Sequence, residues 1–248
     1  MHPRFKEKAI ATLCLVPLLL LGSGCATTGT VDPRDPLEGM NRSFFSFNQF
    51  MDRKLFDPIG RVYKAVLPAP VNRGVSNMFS NANDIAVIAN DVLQFKLGQA
   101  ISDLARLVFN STIGILGFFD VSSHAGLPKH DEDLGQTLAK WGFGPGPFLV
   151  APFLGPTTVR DAIGFGVETQ FLNPVTYVNT DGYRAGLLSL NYVDFKADRL
   201  KAGELLEEAA LDEYEFLKNA YLERRENLAH DREFTPEQNG LEEILEED

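Results

Sequence analysis

The side chains best suited to chemistry gather in one stretch, His124 followed by His130-Asp131-Glu132-Asp133. Imidazoles and carboxylates ligate metal ions and move protons, so His124 and His130 with Glu132 or Asp133 could in principle hold a metal. These residues fall in and beside a turn region, Gly117 to Asp131, and a polar loop is the plainer reading. His230 stands apart, near the C-terminus. Gly142-Phe143-Gly144-Pro145-Gly146 has the glycine spacing of a dinucleotide turn, but no strand pattern precedes it and its prolines would spoil a helix start. G-x-S-x-G, H-E-x-x-H and G-x-x-x-x-G-K-[ST] are all missing. Carboxylates are plentiful but fall on what read as solvated helix faces. No catalytic residue, no metal and no cofactor is expected, and the chain does not read as an enzyme.

What needs explaining instead is the segment Gly142 to Pro156. Eight of its fifteen residues are Gly or Pro, which bars a regular helix and makes a poor central strand. The rest are Phe143, Phe148, Leu149, Val150, Ala151, Phe153 and Leu154, without one polar side chain. Irregular backbone ordinarily runs through water, which satisfies its polar groups. An apolar irregular segment therefore wants an apolar neighbour. It reads as a core-crossing connection, a lid over an apolar cavity, or a segment at membrane depth.

The start of the chain carries a different chemistry. Arg4, Lys6 and Lys8 precede the apolar run Ala9 to Leu21, which is short for a membrane span. Leu20-Leu21-Gly22-Ser23-Gly24-Cys25 then resembles a bacterial lipobox, in which the cysteine is acylated and becomes the first mature residue. Ala26 after the cysteine favours the outer membrane, again by resemblance to bacterial lipoproteins. Cleavage would remove residues 1–24 with three basic residues and Glu7. The 23 basic and 34 acidic residues then fall to 20 and 33, a net of −13. That charge argues against nucleic acid and against an electrostatic grip on anionic head groups. Cys14 would go with the leader, leaving Cys25 as the one thiol and no disulfide framework.

The elements between are read as helices, with no convincing strand pair. Residues 25–34 are a tether, and Asp35-Pro36-Leu37-Glu38 is a helix start. Leu37, Met40, Phe44, Phe47, Met51 and Leu55 form its core stripe, while Phe45, Phe50 and Phe56 fall outside and suggest contact with lipid or another protein. Helices are expected from Val71 to Phe79 and from Asp84 to Phe95, broken at Ser80-Asn81-Ala82-Asn83. Gln99 to Leu116 is apolar around half its circumference or more, with one polar line of Ser102, Asp103, Arg106 and Asn110. That line reads either as a solvated face or as the wall of a watery channel. A short helix spans Asp133 to Trp141, and Pro156-Thr157 opens one interrupted at Gly164 and Gly166. A long helix runs from Tyr183 to about Leu211, and Asp212 with Glu215 caps the last. Residues 231–248 are acidic and expected to be disordered. The fold class is all-α, one domain over residues 35–230 with Gly/Pro hinges.

Several runs together resemble the VacJ/MlaA family of Gram-negative outer-membrane lipoproteins. They are Asp35-Pro36-Leu37-Glu38-Gly39-Met40-Asn41-Arg42, Phe47-Asn48, Phe109-Asn110-Ser111-Thr112-Ile113-Gly114, Gly117-Phe118-Phe119-Asp120, Trp141 to Pro147, and Pro152 to Asp161. The resemblance covers roughly Asp35 to Tyr221. It implies a ring of amphipathic helices in the outer membrane, anchored at Cys25 and associated with a trimeric porin. Through the ring's channel, misplaced phospholipid would leave the outer leaflet for a periplasmic carrier protein, which preserves lipid asymmetry. The family's glycine-rich gate loop falls on Gly142, Gly144 and Gly146. Its channel-state helix segment falls on Phe47, Asn48 and Gln49, although Gln49 replaces an aromatic residue. Asp103, Arg106 and Asn110 are the candidates to line the channel. The competing reading is an envelope scaffold lipoprotein with no lipid cargo.

Overall fold

The computed structural model describes residues 32–232, so the leader, Cys25, most of the tether and the tail from residue 233 lie outside the described residues. The first helix, α1, spans Glu38–Met51. Asp35 does not cap it. Its buried carboxylate instead accepts from Asn41 and from the Tyr214 hydroxyl. A π-helical turn, Asp52–Phe56, carries α1 without a break into α2, Asp57–Val66, which stops before Pro68.

One helix, α3, runs unbroken over Ala69–Leu93. The break expected at Ser80–Asn83 is absent because tertiary partners override local propensity. Asn81 donates to Ser111 Oγ at 2.9 Å, and Asp84 is buried with Lys129 paired to it. After Gln94–Lys96 comes α4, Leu97–Thr112, ended by left-handed residues at Ile115, Leu116 and Gly117. The short α5 (Val121–His124) and α6 (Leu134–Lys140) have Asp120 and Asp133 as their side-chain caps.

The Gly/Pro stretch contains a strand pair that the sequence does not announce. β1 (Phe148–Ala151) and β2 (Gly155–Thr158) form an antiparallel hairpin with Phe148 opposite Thr158 and Ala151 opposite Gly155. Pro156 is tolerated because the sheet has only two strands, so a missing N–H can face outward. Thr158 then caps α7, Val159–Phe171. Gly164 does not interrupt α7. A Cβ there would meet the backbone nitrogen of Gly135 at 2.7 Å, so the glycine lets α6 and α7 cross closely. A 3-10 turn, Pro174–Tyr177, leads to α8 (Asp181–Asp198), α9 (Leu200–Ala209) and α10 (Glu213–Ala229). The long helix expected to reach Leu211 is divided at Arg199, and Asp212 caps α10.

The order of packing closes on itself. From α3 it passes to α6, α7, β2, β1 and α1, then through the π turn to α2, α8 and back to α3. Among the described residues ten helices and one small hairpin thus form a ring-like, essentially all-α domain, with α4 doubling α3 and α10 buttressing the hairpin. The buried apolar cluster among the described residues lies under that hairpin, where Phe148, Val150 and Tyr214 meet Phe44, Phe45, Tyr221 and Leu222.

Candidate functional site: an apolar rim and a tethered hairpin

Burial in this fold is inverted. Among the described residues seven hydrophobic residues are buried, against twenty polar or charged ones. In water-soluble domains the interior is filled mainly by apolar side chains. The large hydrophobics face outward in stripes: Leu55, Ile59, Val62 and Val66 through the π turn and α2, Leu97, Ile101, Leu104 and Val108 on α4, and Val159, Ile163, Val167 and Phe171 on α7. Val66 is 71 % exposed and Ile101 69 %. Such contiguous apolar surface is stable only against an apolar partner.

The polar line of α4 makes the same point from inside. Asp103, Arg106 and Asn110 are only 1–3 % exposed, so they neither form a solvated face nor present a wall to a channel. Asp103 meets His130 Nδ1 at 2.9 Å. Arg106 donates to the Leu127 carbonyl, Ser123 and both oxygens of Asp120. Asn110 donates to Asp120 at 2.9 Å and accepts from the Ser122 N–H. The line therefore pins α4 to the 120–130 loop and turns the apolar flank outward. His124 contacts the Asp120 carbonyl, and among the described residues no group of three or more His, Cys, Asp or Glu is placed to hold a metal.

One member of this interior is a carboxyl set against another carboxyl. Asp91 is fully buried, and no amide, hydroxyl or cation donates to its oxygens. Burial with the hydrogen bond to Asp103 pushes its pKa up to about 7, so the two carboxyls share a proton. A buried pair of carboxyls with one proton between them costs free energy, and an amide supplies two N–H groups to a neighbouring carboxylate. Asp91→Asn should therefore stabilise the protein by about 1–3 kcal/mol. Chemical denaturation in detergent checks this, and a destabilised variant would show that the carboxylate is needed.

The Gly142–Pro156 stretch divides into an exposed loop, Gly142–Pro147, and the hairpin. Gly142 and Gly146 adopt φ of 93° and 69°, the left-handed region that favours glycine. Gly144 has open space around it, and the Phe143 ring beside it is 60 % exposed.

The hairpin is held by two asparagines of α1, both buried. Asn41 donates to the Phe148 carbonyl (3.0 Å) and accepts from Val150 N–H (2.9 Å). Asn48 donates to the Ala151 carbonyl (3.0 Å) and accepts from Phe153 N–H (2.7 Å). Seven helical residues rise about 10.5 Å, and three strand residues about 10 Å. Asn41 thus completes the outer edge of β1, and Asn48, farther along α1, holds its end and the turn. Phe47 meets the Phe153 ring edge-on at 5.3 Å, and Gln49 donates to Glu213 of α10. Structure thus brings Phe47, Asn48 and Gln49 to the junction of α1, the hairpin turn and α10, at the far end of β1 from the loop of Gly142, Gly144 and Gly146. Asn41 was not singled out by sequence, though its spacing of seven from Asn48 is the visible signal.

A second cluster fastens the other side. Arg225 of α10 donates to Asp133, which caps α6, and to Asp161 in the first turn of α7. Asp161 also accepts from Tyr221 and Arg160. Burial alone would raise both carboxyls, but the hydrogen bonds and charge of Arg225 hold Asp133 and Asp161 below the ordinary carboxylate range.

The chain as a whole is similar to known proteins. The family model described as MlaA lipoprotein matches residues 33–228. The chain is 31 % identical to the intermembrane phospholipid transport system lipoprotein MlaA of Shigella flexneri, covering 100 % of this chain and 97 % of that one. Identity to the protein of the same description in Escherichia coli (strain K12) is 30 %, with the same coverage. A solved structure reported as "Structural basis for maintenance of bacterial outer membrane lipid asymmetry" superposes with a TM-score of 0.69 at 29 % identity, covering 79 % of this chain and 98 % of that chain. With 196 consecutive residues spanned by the family model and near-complete relatives on both sides, the chain belongs to the MlaA lipoprotein family.

Proposed function

We propose that this protein maintains outer-membrane lipid asymmetry by intermembrane phospholipid transport, taking phospholipid from the outer leaflet and passing it towards the periplasm. The observation that carries this reading is the inverted burial, with apolar stripes outside and polar networks inside. A ring with an apolar rim is stable within acyl chains. No helix of the described residues is long and apolar enough to cross a membrane, so the ring would lie among the lipids with its helices oblique or parallel to the surface. A phospholipid leaving a leaflet needs a path for its acyl chains and another for its charged head group, and a ring with an apolar rim and a polar interior would offer both. Acylated Cys25 would anchor the chain on the periplasmic side, beside a trimeric porin, and a periplasmic carrier protein would receive the lipid. The Gly142–Pro147 loop would be the gate, with Phe47, Asn48 and Gln49 setting its state.

Purification in mild detergent followed by lipid extraction tests the cargo. The expected result is phospholipid travelling with the protein, with a fatty-acid label on the parent but not on Cys25→Ala. Protein without phospholipid, labelled or not, would favour a scaffold.

A further inference from the structure

The hairpin turn, Pro152–Leu154, is where the hairpin also touches α8, and Phe153 there adopts a φ of 66°. A bulky residue stays left-handed only when its surroundings hold it. Its N–H is taken by Asn48, and its carbonyl accepts from the Tyr192 hydroxyl of α8 at 2.7 Å. Its ring lies between Phe47, at 5.3 Å, and Phe56, at 6.4 Å. Tyr192 is itself built in. Its ring meets Phe56 edge-on at 5.0 Å and stacks on Phe195 at 6.4 Å. Lys196 Nζ lies 5.7 Å from the Phe56 ring and 5.8 Å from the Tyr192 ring, and pairs with Asp52 at 2.6 Å. Asp52 and Phe56 are the two ends of the π turn, an irregularity that recurs at functional sites.

These contacts serve neither the apolar rim nor the Arg225 cluster. They join three ring segments at one backbone carbonyl. From this we infer that Tyr192 is the positioning residue that latches the hairpin to α8, with the hairpin otherwise pivoting on Asn41 and Asn48 of α1. The inference rests on the transport reading proposed above. Because the loop Gly142–Pro147 is continuous with β1, releasing the turn from α8 would move the loop without dismantling the fold. Removing the single hydroxyl leaves every ring contact in place, so Tyr192→Phe separates latching from packing.

The test uses the full-length lipidated protein with a spin label on Leu154→Cys, an exposed position of the turn, in a mature chain whose other thiol is acylated. A second label on Phe216→Cys in α10 is the control. Tyr192→Phe should raise the mobility of the Leu154 label several-fold and leave the Phe216 label unchanged. Outer-leaflet phospholipid in the same cells should rise at equal protein abundance. Lys196→Met, which removes the support of the Tyr192 ring and keeps its hydroxyl, should act in the same direction with a smaller effect. Mobility and asymmetry both unchanged in the two variants would overturn the latch. So would a freed turn with normal asymmetry. If cells lacking the protein altogether keep normal asymmetry, the transport reading has failed instead.

Discussion

Arg225→Met is expected to be the most damaging single change in the domain, costing about 3–5 kcal/mol of stability. The side chain is 11 % exposed and is shared between Asp133 and Asp161. Its loss takes a cation from two carboxylates at once, leaving Asp161 with Arg160 and Tyr221 and Asp133 with Gln136. Methionine keeps much of the volume and none of the charge. The consequence spreads because Asp133 caps α6, Asp161 opens α7, and both pack on α10. A pH dependence goes with it. Carboxyls held below their ordinary range contribute stability that is present above that range and lost as the pH falls through the lowered value. The parent should therefore lose stability on acidification below about pH 4, and Arg225→Met should have lost that contribution already at neutral pH. Denaturant unfolding in detergent at several pH values measures both effects. A loss under about 1 kcal/mol would mean that water replaces Arg225 and the cluster is no fastening.

The second large effect belongs to the glycine-rich loop, and here the loss should be of function. Gly144 has no atom within contact distance of an added Cβ and no left-handed φ, so Gly144→Val costs little packing but narrows the loop's conformations. Gly142 and Gly146 differ, since a valine at a φ of 93° or 69° is strained by roughly 1–3 kcal/mol, and at Gly146 its Cβ would approach Val159 to 3.2 Å. Gly144→Val should reach the membrane at normal abundance and yet leave phospholipid in the outer leaflet, with sensitivity to detergent as the cellular sign. Gly142→Val with Gly146→Val should give the same defect, partly through lower abundance. Normal asymmetry in Gly144→Val at normal abundance would reduce the loop to a connection.

Much of the helical framework is legible in the sequence, because helix punctuation is local. Pro68 ends one helix, and Asp133 and Asp212 start others from their own side-chain chemistry. Long-range pairing is not legible. Nothing near Asn81 says that Ser111 will satisfy it, so an unbroken α3 reads as two helices. The hairpin is hidden for a related reason, since its outer edge is completed by Asn41 and the Arg34 carbonyl, and its turn by Asn48, rather than by another strand. The α4 polar line teaches the most. Asp103, Arg106 and Asn110 look solvated under the ordinary expectation that polar faces meet water. When the exterior is lipid that expectation reverses, and the polar line goes inward to protein partners while Ile101 and Leu104 go out. The wide apolar arc of this helix carries the same message, but only once the solvent is known. Tyr192, Phe153 and Arg225 depend on hydrogen-bond partners 39 to 105 residues away and leave no local mark.

Outer-leaflet phospholipid, measured by a membrane-impermeant amine label in intact cells, is the most direct test. Cells lacking the chain should show several-fold more labelled phospholipid than the parent, and restoring the full-length chain should return it to the parental level. Unchanged labelling in cells without the protein would contradict a role in lipid asymmetry, whatever the architecture of the ring.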